Sequence, residues 1–133
     1  MKKIIIAFFA VIAVATTALA QTQSTVVTNL SSERFKAITE GDKTGGVIVD
    51  LRTPDEVAKG YIKGAVFVDY LSKEWESAVA KLDKNKTYYI YCAAGGRSAD
   101  AAEYMEKHGF KKVYNLEKGF SEWKGKGFPI EKK

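Results

Sequence analysis

Hydrophobic and β-branched residues occur along this chain in short runs that glycines or polar turn residues interrupt. Four of these runs predict strands, at residues 47–51, 64–68, 87–91 and 112–116. Short apolar runs of this kind are typical of strands that a parallel sheet buries on both faces. Mixed polar and apolar spacing predicts helices at residues 31–41, 53–60, 72–82, 98–108 and 120–124. The alternation predicts an α/β fold with a mostly parallel central sheet and helices on both of its faces.

Two of the helix starts carry strong local signals. Thr53 can cap the second helix, Pro54 suits its first position, and Glu56 completes a capping box. Ser31 can cap the first helix in the same way. The chain is therefore expected to enter both helices through defined turns.

The first 20 residues differ in composition from the rest of the chain. Two lysines precede an uncharged apolar run, and the segment closes on Ala18-Leu19-Ala20. This order predicts a secretory signal peptide at residues 1–20, cleaved after Ala20. An uncleaved anchor is the alternative, although the run is marginal for a membrane span. We expect an extracytoplasmic protein, most simply periplasmic, without stable membrane association after cleavage.

Beyond the signal peptide, we predict a linker at residues 21–30 and a single domain at residues 31–133. The chain of 133 residues carries a net charge of +5, and its lysines are scattered along the sequence. Scattered basic residues indicate a solvated basic surface, so we expect no nucleic-acid partner.

Cys92 is the chain's one cysteine and His108 its one histidine. Cys92 therefore forms no intramolecular disulfide, and these two side chains cannot supply the four ligands of a structural zinc site. We expect no metal and no cofactor. A lone thiol in an exported protein is conspicuous and needs a chemical explanation.

The loop that joins the strand at 87–91 to the next helix has very small side chains, in the order Cys92-Ala93-Ala94-Gly95-Gly96-Arg97-Ser98. Successive backbone N–H groups can therefore turn toward one centre and form an anion-binding nest at the helix N-terminus. The nest and the Arg97 guanidinium favour the thiolate, which is the nucleophilic form of Cys92. Arg97 can also clamp an oxyanion. We predict Cys92 as the catalytic nucleophile and residues 93–98 as the substrate-binding residues.

Other residues at the carboxyl ends of predicted strands are candidates for the same site. Asp50 and Arg52 can orient the loop backbone from behind, and the competing interpretation is a structural ion pair. Asp69 and Tyr70 can line the pocket. For Cys92, the competing interpretation is an inert buried cysteine that closes a strand.

Several segments, taken in order, resemble the signatures of the single-domain rhodanese-like sulfurtransferases. They are residues 47–57, residues 60–65, the Cys-x4-Arg loop at 91–98, and residues 116–119 with Trp123 and 127–129. Tyr61, Lys63 and Lys118 differ from the family's usual residues at scaffold positions. The resemblance covers about Ser31 to Ile130 and implies the rhodanese-like fold.

By resemblance, the activity is transfer of a sulfane sulfur, as in a thiosulfate:cyanide sulfurtransferase. Cys92 would attack the outer sulfur of a small anionic donor, such as thiosulfate or a polysulfide, and become a persulfide. Cyanide, a thiol or a protein sulfur acceptor would then remove this sulfur. Some thiosulfate-specific members carry basic residues inside the loop where this chain has Ala93 and Ala94, which leaves the donor open.

Two other functions compete with sulfur transfer. Related phosphatases and arsenate reductases pair a loop cysteine with an arginine, but their Cys-x5-Arg loop is one residue longer. The loop of this chain also lacks an aspartate that could act as general acid. The other candidate is a non-catalytic persulfide carrier or anion-binding module, which would use the same loop without turnover.

Overall fold

The computed structural model describes residues 24–133, together with residues 10, 12 and 13. Its strands are β1 (Val27–Leu30), β2 (Val47–Asp50), β3 (Val66–Phe67), β4 (Thr87–Tyr91) and β5 (Lys112–Leu116). These strands form a sheet in the order β1-β5-β4-β2-β3, and every neighbouring pair is parallel. The predicted parallel α/β architecture is confirmed.

Helices pack against both faces of this sheet. They are α1 (Ser32–Gly41), α2 (Pro54–Ala58), α3 (Trp75–Ala80), α4 (Gly96–Lys107) and α5 (Gly119–Gly125). On one face, Val79 of α3 and Met105 of α4 belong to a core built on β4. On the other face, Phe35 of α1 and Trp123 of α5 pack with Tyr91. Burial of these large apolar side chains is the main source of stability, and it requires both layers of helices.

The predicted helix caps are present. Ser31 accepts a hydrogen bond from the backbone N–H of Arg34, and Thr53 forms the full capping box with Glu56. Each cap pairs an N–H group of the first turn that lacks a partner inside the helix.

Residues 27–30 correct the expected linker at 21–30, because they form the edge strand β1. β1 pairs in register with β5, from Val27 beside Val113 to Leu30 beside Leu116. The segment is short and half polar, so its extended form depends on backbone hydrogen bonds to a strand far along the chain. The residues of β1 carry no local pattern that predicts a strand.

The strand expected at 64–68 is also shorter, since β3 contains Val66 and Phe67 alone. It lies at the edge of the sheet and pairs with β2, and both of its side chains are exposed. The helix expected at 72–82 contracts to α3, because Ser72 Oγ bonds locally to Glu74 N–H in the turn before it.

The expected signal peptide at residues 1–20 lies outside the described residues, apart from residues 10, 12 and 13, and so do residues 21–23 of the expected linker. Within the part of the chain that the structure describes, no helix combines the length and the apolar character that crossing a membrane requires.

Parallel pairing brings the loops that follow the strands to one edge of the sheet. Asp50 at the end of β2 lies in register with Tyr91 at the end of β4. The loop that begins at Cys92 is therefore flanked by the segment entering α2 on one side. The segment entering α5 flanks it on the other, because β5 is the next strand of the sheet.

Candidate active site

Cys92 follows β4 directly, and its residue is 1% exposed. Its sulfur accepts hydrogen bonds from the backbone N–H of Gly95 at 3.1 Å and of Ser98 at 3.3 Å, and it lies 3.4 Å from Ser98 Oγ. α4 begins at Gly96, two residues before its expected start at Ser98, so its first turn belongs to this loop. The N–H groups turn toward one centre, and that centre is the sulfur itself.

This environment changes the acidity of the thiol. Burial raises the pKa of Cys92, whereas the Ser98 hydroxyl and the N–H groups of Ser98, Gly95 and Ala94 stabilise the thiolate and lower it. The net effect is a pKa below the usual value of a cysteine. The largest favourable contributions are hydrogen bonds of the loop, so the thiolate of Cys92 is favoured without a neighbouring base.

Arg97 is arranged differently from the expectation. Its guanidinium donates to both carboxylate oxygens of Glu56, with Nη1–Oε1 at 2.8 Å and Nη2–Oε2 at 2.9 Å. The clamp expected for an oxyanion substrate therefore holds a carboxylate of α2. The sequence marked Glu56 as a capping residue, but this partnership joins positions 41 residues apart and needs the fold to bring α2 beside α4.

The pair is ionised around neutral pH and is firmly held. Arg97 is the main reason that the pKa of Glu56 falls to about 2. The Thr53 N–H and hydroxyl also donate to Glu56 Oε1, at 3.3 Å and 3.1 Å. Glu56 raises the pKa of Arg97 most strongly, and the negative charges of Cys92 and Asp69 raise it further. The Arg97 guanidinium thus lies in the electric field of three acidic groups.

Of the two residues expected to line the pocket after β3, Asp69 is near the Arg97 charge, as this electrostatic effect shows. Its Oδ1 accepts a hydrogen bond from the Leu71 N–H at 2.9 Å, which orients the carboxylate. The Tyr70 hydroxyl instead points toward α4 and lies 3.5 Å from Asp100 Oδ2.

The start of α5 supports the loop from behind. The Phe120 N–H donates to the Cys92 carbonyl at 2.8 Å, and the Ser121 N–H donates to the Ala93 carbonyl at 3.0 Å. Gly119 has a φ of 72°, and a Cβ there would lie 2.6 Å from the Ala93 carbonyl carbon. Gly95 has a φ of 103°, and a Cβ there would overlap the Glu117 carbonyl oxygen. These two backbone segments approach so closely that only glycine fits at either point.

Asp50 and Arg52 form a buried ion pair beneath the site, with Arg52 Nη2 at 2.7 Å from Asp50 Oδ2. Arg52 also donates to the Gly60 carbonyl at 2.7 Å, and its guanidinium carbon lies 3.9 Å from the Phe120 ring centre. These partners lie outside the loop at 92–98. The geometry matches the competing interpretation of a structural pair, which braces α2 and α5 rather than touching Cys92.

Replacing Ser98 with alanine is expected to raise the pKa of Cys92, because the Ser98 hydroxyl is the largest of the interactions that lower it. The backbone donors at Gly95 and Ser98 would remain. The pH dependence of iodoacetamide alkylation measures this pKa. Ser121→Ala is the matched control, since its hydroxyl has no bond to the sulfur. An unchanged or lower pKa in Ser98→Ala contradicts the assignment of Ser98.

Comparison with known proteins gives a consistent result. The profile of a family described as the rhodanese-like domain matches residues 31–126. Thiosulfate sulfurtransferase GlpE of Stutzerimonas stutzeri is 35% identical over 80 residues, which are 60% of this chain and 72% of that protein. YrkF of Bacillus subtilis, named as a candidate sulfur carrier protein, is 36% identical over 100 residues, or 75% of this chain and 52% of that protein. The chain thus spans about half the length of YrkF.

Solved structures show the same fold. A rhodanese-like domain protein from Staphylococcus aureus superposes with a TM-score of 0.67 at 33% identity, and the match covers 79% of this chain and 97% of the other. The protein SSP1007 from Staphylococcus saprophyticus gives a TM-score of 0.66 at 33% identity, with 77% and 97% covered.

Proposed function

This chain belongs to the family of rhodanese-like domains, and we propose that it moves a sulfane sulfur from a donor to cyanide or a thiol through a persulfide on Cys92. The observation that carries the proposal is the placement of the Cys92 sulfur. It accepts N–H bonds at 3.1 Å and 3.3 Å at the start of α4 and has a lowered pKa. Relatives named as sulfurtransferases support the same class of reaction.

The proposed first half-reaction is attack of the Cys92 thiolate on the outer sulfur of the donor. The new S–S bond forms as the bond inside the donor breaks, and the donor residue leaves with the electron pair, as sulfite from thiosulfate or as a thiolate from an organic persulfide. No proton is taken from Cys92 during attack, because the thiolate is the reacting form. The lowered pKa increases the fraction of that form at neutral pH.

In the second half-reaction, cyanide or an acceptor thiolate attacks the terminal sulfur, and Cys92 leaves as a thiolate. The charge therefore moves from the Cys92 sulfur to the terminal sulfur and back. N–H groups directed at the sulfur and the α4 N-terminus stabilise negative charge at this position throughout the cycle. The loop thus serves both as activator of the nucleophile and as the binding site of the persulfide.

Intact-mass spectrometry tests this proposal directly. Thiosulfate or a polysulfide is expected to add one sulfur atom to the reduced protein, and cyanide is expected to remove it with release of thiocyanate. Addition from a polysulfide but not from thiosulfate would retain the chemistry and change the donor. If neither donor adds sulfur to reduced Cys92, sulfur transfer is refuted.

A persulfide carrier is the second candidate, because the relative YrkF is named as a candidate sulfur carrier protein and the same loop would hold a sulfur on Cys92 without turnover. Multiple turnovers of thiocyanate per protein favour the enzyme. A single loading followed by fast transfer to a protein thiol favours the carrier. A phosphatase or arsenate reductase is disfavoured, because the loop from Cys92 to Arg97 is one residue shorter than the Cys-x5-Arg loop of those enzymes and contains no aspartate that could act as general acid.

We also propose that residues 1–20 direct export and are removed after Ala20, which would place the domain in the periplasm. The same mass spectrum of protein purified from the cell envelope is expected to show a chain that begins at Gln21. A mature protein that retains its first 20 residues contradicts cleavage.

A further inference from the structure

We propose that Glu56 selects the sulfur donor by charge, so that the site favours donors with one negative charge over dianions such as thiosulfate. This inference rests on the sulfur-transfer function proposed above and names its substrate class. Glu56 acts here as a specificity-determining residue that works through Arg97. It does not touch the reacting sulfur.

Glu56 and Arg97 form a bidentate ion pair beside the loop. Both oxygens of Glu56 bind Arg97, at 2.8 Å and 2.9 Å, and the two side chains are 32% and 22% exposed. Partial burial weakens screening by solvent, and a bidentate pair of this kind has little freedom to reorient. Thr53 holds Glu56 from its other side. A dianion that approached Arg97 would meet a guanidinium whose positive charge Glu56 already offsets.

The side chains around Arg97 carry more negative than positive charge. Arg97 is the one charged residue within the loop at 92–98. Glu56 and Asp69 both act on its guanidinium, and the Cys92 thiolate adds a third negative charge. The formal charges of these side chains are therefore negative on balance.

Other basic residues near the site do not reverse this balance. The charge of Arg52 is matched by the buried carboxylate of Asp50 at 2.7 Å. Lys118 follows Glu117 in the chain, and these two residues carry opposite formal charges. Lys133 lies over the Phe67 ring, 4.2 Å from its centre, and is exposed, so solvent and salt screen it strongly.

The charge of the donor then affects the free energy of its transition state, because the Cys92 thiolate that attacks it is also negative. Attack of a thiolate on thiosulfate brings one negative charge together with two, whereas a monoanionic donor brings one together with one. Two carboxylates that act on one guanidinium oppose the dianion more strongly than the monoanion, and this difference enters kcat/KM. The structure thus assigns the site to donors such as thiosulfonates or monoanionic organic persulfides.

A matched pair of donors tests this inference. Methanethiosulfonate differs from thiosulfate by a methyl group in place of one charged oxygen. Both deliver their outer sulfur to Cys92 and release methanesulfinate or sulfite, and cyanide serves as the common acceptor. Glu56→Gln removes the charge while glutamine still fits the capping box with Thr53. The ratio of kcat/KM for thiosulfate to that for methanethiosulfonate is expected to rise about tenfold in this variant.

Glu103→Gln is the matched control, because it removes the same charge from an exposed pair with Lys107 on the outside of α4. Its ratio is expected to equal that of the wild type. An unchanged ratio in Glu56→Gln overturns the selection by charge while sulfur transfer stands. If Glu56→Gln does not fold, Asp69→Asn decides the question: a raised ratio supports the inference, and an unchanged ratio overturns it. Failure of the wild type to load sulfur from both donors refutes the proposed function instead.

Discussion

Replacing Cys92 with alanine is expected to abolish sulfur transfer, with kcat/KM falling by about a thousandfold or more to the background rate. The chain contains no second thiol that could carry the sulfur. The donors at Gly95 and Ser98 would then surround a methyl group and have no charge to stabilise. Thiocyanate release and the gain of one sulfur by intact mass both measure this effect.

The variant is expected to remain folded, because loss of one buried sulfur atom creates a small cavity and costs about 1 kcal/mol. Circular dichroism and urea unfolding verify this. Ser121→Ala serves as the active control with an intact cysteine. A folded Cys92→Ala protein that still transfers sulfur at the wild-type rate would end the proposed mechanism.

Replacing Gly119 with alanine is expected to have the second largest effect. The added Cβ would lie 2.6 Å from the Ala93 carbonyl carbon, so the loop and the start of α5 must separate. Separation breaks the hydrogen bonds from Phe120 and Ser121 that position the loop. We expect a loss of about 3–5 kcal/mol in the free energy of unfolding. In protein that remains folded, kcat/KM should fall about a hundredfold, because a shift near 1 Å misplaces the nucleophile.

Gly127→Ala isolates the steric part of this effect. Gly127 has the same φ of 72° as Gly119, but a Cβ there has no neighbour within 4 Å. The free energy of unfolding of this variant is therefore expected to fall by only about 1–2 kcal/mol, the cost of placing alanine in the left-handed region, and its activity should be unchanged. Urea unfolding and kcat/KM are measured for both variants. Equal losses in the two would mean that backbone conformation, and not contact with the loop, accounts for the glycine at 119.

Much of the architecture was predictable because it depends on local patterns. The apolar runs at 87–91 and 112–116 coincide with β4 and β5, and the caps at Ser31 and Thr53 form as predicted. In each case, the determining interactions lie within a few residues of one another. β1 was not predicted, because its partner β5 is remote in sequence and its own residues are half polar.

The sequence likewise predicted some features of the candidate site and missed others. The small side chains of the loop and its position before a helix pointed to Cys92 and its N–H donors, because the donors at Gly95 and Ser98 lie three and six residues from the sulfur. Arg97 was identified as the cation of the loop, but its engagement with Glu56 was not. A formal charge is visible in a sequence, whereas its neutralisation depends on which side chain the fold brings beside it.

Local sequence patterns specify the α/β class, most helix starts and the small side chains of the Cys92 loop, because steric preferences and capping bonds act between neighbours in the chain. The electric field around the sulfur and the support beneath the loop arise only in the folded protein. α2 contributes Glu56 and the start of α5 contributes Gly119, and both reach the loop through space. Electrostatic attraction and steric overlap depend on the distances between atoms. These distances become short only when the parallel sheet brings α2, the loop and the start of α5 to one edge.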